Sequence, residues 1–211
     1  GGDNIVHFYY IKAYIKKELL LNLNLSAPNF LNLNDYPIML GEQFHFYVYN
    51  FFNFLFKNNH FFIINLYFLL KFYIIALISF VALRKFSITE TSSIFGALLF
   101  SFVPIAFYRF FGHFFLGIYF SIPLAVLLIK NIIDFKTNDR LSKFFKYNFF
   151  IIILISISGV HFIFFTIFYL ICLSVIFLLK KTDKNIYVSL SFFSIILIIT
   201  SCFLFSYDTL N

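Results

Sequence analysis

Residues 147–179 read YNFFIIILISISGVHFIFFTIFYLICLSVIFLL, 33 positions without an acidic or basic side chain other than one histidine. As a single helix this run would measure about 50 Å at 1.5 Å per residue, against a bilayer hydrocarbon core of roughly 30 Å. The stretch before it carries Lys130, Lys136, Arg140, Lys143 and Lys146, and the stretch after it Lys180, Lys181 and Lys184. The positive-inside rule wants both in the cytoplasm, and one crossing would put one of them outside. A turn at Ser156-Ile157-Ser158-Gly159 removes the conflict, leaving a short helix over 147–155 and a full one over 160–179. Lipid cannot satisfy a non-helical backbone, so such a turn must be buried in protein or line a wet cavity. It is therefore expected in or beside a site.

Working outward, further apolar runs cover about 61–83, 92–108, 114–133 and 186–206. Each is read as one crossing, the 92–108 run being the shortest. With Arg84 and Lys85 also inside, residues 1–60 fall outside, 84–91 inside, 109–113 outside, 130–146 inside, the 156–159 turn toward the outside, 180–185 inside and 207–211 outside. Residues 1–60 carry four basic and four acidic residues, without the cationic excess of a cytoplasmic loop. The expected fold is all-α: an extracytoplasmic loop over 1–60, then a polytopic transmembrane helix bundle over 61–211. Within the loop, amphipathic stretches at about 4–21 and 42–57 flank an irregular segment from Asn22 to Gly41. In the first, Ile5, Phe8, Ile11, Tyr14 and Ile15 recur at helical spacing opposite Lys12, Lys16 and Lys17, the pattern of helices lying in the membrane interface. The chain opens Gly1-Gly2-Asp3 and its one methionine is Met39. It reads as a fragment, expected to follow at least one earlier membrane helix.

A content of 62% hydrophobic and 12% charged residues, with mean hydropathy +0.92, excludes an ordinary soluble domain. Thirty-seven Phe and no Trp, with heavy use of Ile, Asn and Lys, point to AT-rich codons, so aromatic richness alone does not indicate a ligand cage. The net charge of +7 is distributed mostly over short loops, where it sets topology and does not indicate nucleic-acid binding. Cys172 and Cys202 both lie in apolar runs and are read as packing residues, not a disulfide or metal pair.

This topology brings Asp3, His7, Asp35, Glu42, His45, Arg109, His113 and Asp208 to one side of the membrane. Arg109 and His113 occupy a short loop where positive charge is disfavoured, and a guanidinium there suits phosphate oxygens, with interfacial anchoring as the competing reading. Asp3 and Glu42 are candidate general bases, since a carboxylate at the mouth of a low-dielectric cavity has its proton affinity raised. Asp3, Glu42 and His113 would alternatively hold a divalent cation, Mg or Mn. Asp3 and His7 are one helical turn apart and share a face. Lys71 lies inside the first complete span, where it either snorkels or faces a cavity. His161, just after the turn, either points into the cavity or is a satisfied core histidine.

Five segments carry a family resemblance in order: GGDNIVHFY at 1–9, NDYP at 34–37, EQFHF at 42–46, NLYFLL at 65–70 and RFFGHFFL at 109–116. Together they resemble a family of polytopic bacterial membrane proteins belonging to, or closely related to, the GT-C glycosyltransferases. Glu42-Gln43 stand where Asp-Asn is usual, Phe111 replaces a polar residue, and His161 replaces a Tyr. The resemblance implies a GT-C-type bundle in the bacterial cytoplasmic membrane with interfacial helices in the first extracytoplasmic loop. It implies transfer of a sugar from a polyprenyl-phosphate donor to a glycan, lipid or protein acceptor. On this chain it assigns the catalytic acid to Asp3 and donor-phosphate binding to Arg109 and His113. His7, Asp35, Glu42 and His45 become acceptor or supporting polar residues. Two other classes stay open: a lipid or sugar transporter, and a non-catalytic cell-envelope scaffold.

Overall fold

The computed structural model describes residues 26–27, 36–37, 43–57, 59–104, 119–136, 141–179 and 185–206. Among these, the helices run in the order α1 Gln43–Phe56, α2 His60–Lys85, α3 Glu90–Ser101, α4 Ser121–Ile133, α5 Leu141–Ser156, α6 Val160–Leu179 and α7 Asn185–Ser206. The segment read as irregular contains one two-residue antiparallel pairing, β1 Ser26–Ala27 with β2 Tyr36–Pro37, in which Ser26 faces Pro37. Among the described residues, three helices are long and apolar enough to cross a membrane: Phe62–Lys85, His161–Leu179 and Asn185–Leu204, with mean hydropathies of 2.3, 2.8 and 2.2. Their outward surfaces carry exposed Leu69, Phe164, Leu179 and Leu204, while Ile63, Ile75, Leu128, Ile152, Leu170 and Ile198 fill the centre. Apolar residues on both faces are what lipid surroundings require.

Several helices differ from the apolar runs that encode them. The 92–108 run is not one crossing helix: α3 begins earlier, at Glu90, and stops at Ser101 after 12 residues. That is about 18 Å of helix, short of the roughly 30 Å core. Thr89 caps its start by accepting from Ser92 N at 3.4 Å, and Val103-Pro104 lie just past its end, where a pre-proline residue is pushed out of helical angles. In the 114–133 run the described helix is α4, 13 residues long. Helix α5 starts at Leu141, six residues before the expected 147, because its lysines do not interrupt the pattern. Lys146 is exposed while Phe144 and Asn148 are buried, so charge and core share the helix on separate faces.

The break between α5 and α6 falls at Ile157-Ser158-Gly159, and its polar groups are satisfied inside the protein. Ile157 N donates to Ile153 O at 3.2 Å and Ser158 N to Ile155 O at 3.2 Å, while Ile157 O accepts from Phe44 N at 3.1 Å. The hydroxyls of Ser156 and Ser158 donate back to Ile152 O and Ile155 O, each at 2.7 Å. Gly159 adopts φ 129°, which side-chain-bearing residues rarely reach.

Helix α1 folds back on the start of α2: the Phe56 and Phe62 rings lie 4.9 Å apart and the Tyr49 and Tyr67 rings 5.0 Å, an antiparallel pairing. Helices α2 and α3 meet through small residues. Ser93, Ala97 and Ser101 follow at four-residue intervals on α3, all buried, as are Ser79 and Ala82 on α2. A Cβ on Gly96 would lie 3.0 Å from Leu83 Cδ1. Close backbone approach over small side chains is how helices associate in lipid, where no hydrophobic force drives them together.

Most of the described charges gather at one end of the bundle, with exposed Lys57 just past α1 and buried Lys71 lying elsewhere. Asp134, just past α4, pairs with Lys130 and lies 3.8 Å from Lys85 at the end of α2. Lys143 and Lys146 sit in the first turns of α5, and Tyr187 on α7 donates to Phe135 O at 3.1 Å. The opposite end holds the α5–α6 turn, the start of α1 and the start of α4.

Two changes test this account. Gly159→Val is expected to lower stability by about 1–3 kcal/mol through backbone strain, whereas Ile157→Val should cost about 0.5–1.5 kcal/mol as a lost methylene. Thermal unfolding of the detergent-purified protein reads the difference, and equal losses would sink the strained-turn interpretation.

Candidate functional site

The structure leaves the sequence candidates largely untouched. Asp3, His7, Asp35, Glu42, Arg109, His113 and Asp208 lie outside the described residues, and of His45 only its place in α1 is described. The proposed carrier residues of a divalent metal, Asp3, Glu42 and His113, are therefore all outside too. Among the described residues no group of three or more His, Cys, Asp or Glu is arranged to hold a metal ion. Cys172 and Cys202 form no disulfide.

Two open questions are answered. Lys71, midway along α2, does not snorkel to the bundle surface. It is 2% exposed, and its Nζ lies 4.7 Å from the centre of the Phe72 ring and 5.3 Å from that of Phe68. His161 is neither a core residue nor one of the groove-lining residues described below: it is exposed on the first turn of α6. The helical period explains it, because exposed Phe164, Phe165 and Phe168 share that outward stripe while Phe162, Ile163 and Thr166 turn inward.

Lys71 has polar company that the sequence reading passed over. Tyr67 lies one turn earlier on the same face of α2, and its ring meets Tyr49 of α1. Both tyrosines are buried. Burial pushes the Tyr49 phenol well above its ordinary pKa, so it stays neutral. One turn further along α1, the buried Oδ1 of Asn53 has no partner among the described residues. The signal was legible in part: Tyr67 and Lys71 are four residues apart within a largely apolar helix. That Tyr49 meets them depends on the return of α1, which no local pattern reports.

The start of α1 also touches the other elements at this end. The Phe44 ring lies 4.8 Å from that of Phe120, just before α4, and Tyr119 donates to Ser101 O at 2.6 Å. Between α4 and α6 opens an apolar groove of about 320 Å³, lined by residues including Ser121, Ala125, Ile129, Phe162 and Thr166. Thr166 returns its hydroxyl to Phe162 O at 2.8 Å, and Ser121 Oγ has no partner among the described residues. The groove begins at the start of α4. Its chemistry suits a hydrocarbon chain with a polar group at the Ser121 end. Lys71 with its neighbouring tyrosines and the apolar α4–α6 groove share no lining residue and are two separate features of the described structure.

The burial contrast has a direct readout. With Cys172 and Cys202 replaced by Ala, N-ethylmaleimide is expected to label His161→Cys in membranes and to spare Lys71→Cys. Equal labelling would show that Lys71 is not enclosed.

Residues 50–210 match the family model described as a domain of unknown function, DUF6311. No curated protein and no solved structure matches the chain.

Proposed function

We propose that the chain, which belongs to the DUF6311 family, is part of a GT-C-type glycosyltransferase of the bacterial cytoplasmic membrane. It moves a sugar from a polyprenyl-phosphate donor to an extracytoplasmic glycan, lipid or protein acceptor. The observation that carries the reading is Lys71. A cation enclosed at mid-helix in a span is expensive, and proteins that keep one generally use it. An ammonium beside buried phenols suits the phosphate of a lipid-linked donor, and the apolar α4–α6 groove suits its prenyl chain.

In this mechanism the Asp3 carboxylate takes the proton of the acceptor hydroxyl as its oxygen attacks the sugar C1. The bond from C1 to the phosphate oxygen breaks, and the departing phosphate keeps the electron pair. Arg109, His113 and Lys71 stabilise the charge that develops there, an electrostatic contribution of the kind worth about 10²–10³ in rate per donor. A divalent ion, if used, would be held by Asp3, Glu42 and His113. The basic ends of α2 and α5 face the cytoplasm, in keeping with the positive-inside rule, which puts residues 1–60 on the acceptor side.

The α5–α6 break also fits a lipid or sugar transporter, since broken helices line many substrate pathways. One experiment separates the two. The full-length protein in lipid vesicles receives radiolabelled polyprenyl-phosphate sugars. Wild type is expected to release label from the lipid, Asp3→Asn to lose about 10²–10⁴ of that rate, and Lys71→Met to lose activity while remaining folded. Movement of intact labelled lipid across the bilayer, without release of sugar, would replace the transferase by a transporter.

A further inference from the structure

A second cavity, at the charged end of the bundle and independent of the transferase reading, has a composition of its own. It occupies about 460 Å³ between α2, α4 and α5, a volume within the usual range of small-ligand sites. Its rim is polar, with Lys85 from α2, Asn131 from α4, Asp134 just past α4, and Lys143 and Tyr147 from α5. Its floor is apolar, with Val81, Leu127 and Ile151. Val81 is one helical turn deeper than Lys85, and Ile151 is two turns deeper than Lys143. The polarity therefore grades from charged to hydrocarbon along the direction of the helices, as it does in a phospholipid.

The walls are fixed by buried contacts. Asn131 donates to Asn148 Oδ1 at 2.8 Å, and buried Asn148 donates in turn to Phe144 O at 2.8 Å, clamping α4 to α5. Asp134 is held by Lys130 and, at 3.8 Å, by Lys85. Among the described residues, two lysines, Lys85 and Lys143, and one carboxylate, Asp134, line the rim. The groove is not closed off from its surroundings: Val81 is 47% exposed and Tyr147 66%, both on its open side. An occupant can enter sideways from the bilayer.

We infer that this groove binds the phosphate headgroup of an anionic phospholipid, with Lys85 and Lys143 at the phosphate and the upper acyl chain over Val81 and Ile151. Basic pockets between membrane helices are an established way of recognising such headgroups. A free phosphate ion would use the rim and leave the graded apolar floor without a function.

The full-length protein, reconstituted in phosphatidylcholine nanodiscs doped with phosphatidylglycerol, tests this by quantifying the phosphatidylglycerol retained after detergent extraction. Removing Lys85 or Lys143 by substitution with Ala is expected to reduce retention about fivefold each, the weight of one basic residue at an anionic surface. Lys85→Arg and Lys143→Arg should preserve it, which separates loss of charge from loss of fold. Lys146→Ala, an exposed lysine on α5 outside the groove, should leave retention unchanged. An equal loss from Lys146→Ala would overturn the site in favour of diffuse surface attraction. Displacement of the lipid by inorganic phosphate would overturn the choice of a lipid occupant.

Discussion

The hydrogen bond from Phe44 N to Ile157 O joins two requirements of a membrane protein. A chain that reverses between α5 and α6 exposes a carbonyl that lipid cannot satisfy, and α1 arrives with an N-terminal amide that has no partner inside its own helix. Each group completes the other. Through this contact α1 is tied to the bundle, and with it Tyr49 is carried against Tyr67 and Phe44 against Phe120. The same helix that bonds the turn thus also supplies Tyr49 to the neighbourhood of Tyr67.

Charge is placed in two ways. At one end of the molecule, cationic side chains are exposed or paired around Asp134, where water and headgroups keep the cost of charge low. Away from it, exposed Lys57 follows α1, and midway along α2 the enclosed Lys71 Nζ lies near the Phe68 and Phe72 rings. A ring face offers a cation some attraction, but far less than water does, so this lysine is kept at a cost to stability. Two buried serines follow a thriftier rule. Ser174 and Ser191 return their hydroxyls to carbonyls one turn back, at 2.9 Å each, so they remain small enough for close packing and still satisfied.

Much of the fold was legible because the bilayer imposes simple lengths. The run at 147–179 was too long for one crossing, and the lysines on either side demanded a return; Ser156 to Gly159 was the one place with small, turn-forming residues. Helix ends were less legible. Hydropathy treats Pro104 as one more residue in an apolar run, though its ring disfavours helical angles at Val103, and it treats Lys143 and Lys146 as a boundary though they ride on the outer face of α5. The expected catalytic residues came from motif order in segments outside the described structure. The residues the structure adds, Tyr49 and Tyr67, are apolar-looking letters whose meaning lies in a contact between two helices.

Gly159 shows how geometry and genetics meet in this chain. Its backbone angle of 129° has no room for a Cβ-bearing residue without strain. Glycine codons are rich in guanine, and single-base changes toward adenine or thymine yield Ser, Asp, Glu, Val and similar residues. A coding sequence drifting toward Phe, Ile and Asn can exchange lipid-facing side chains freely, since any of them satisfies the solvent. At this position the same drift meets a conformational barrier. Composition in such a protein is therefore set by mutation pressure over most of its surface and by backbone geometry at a few points.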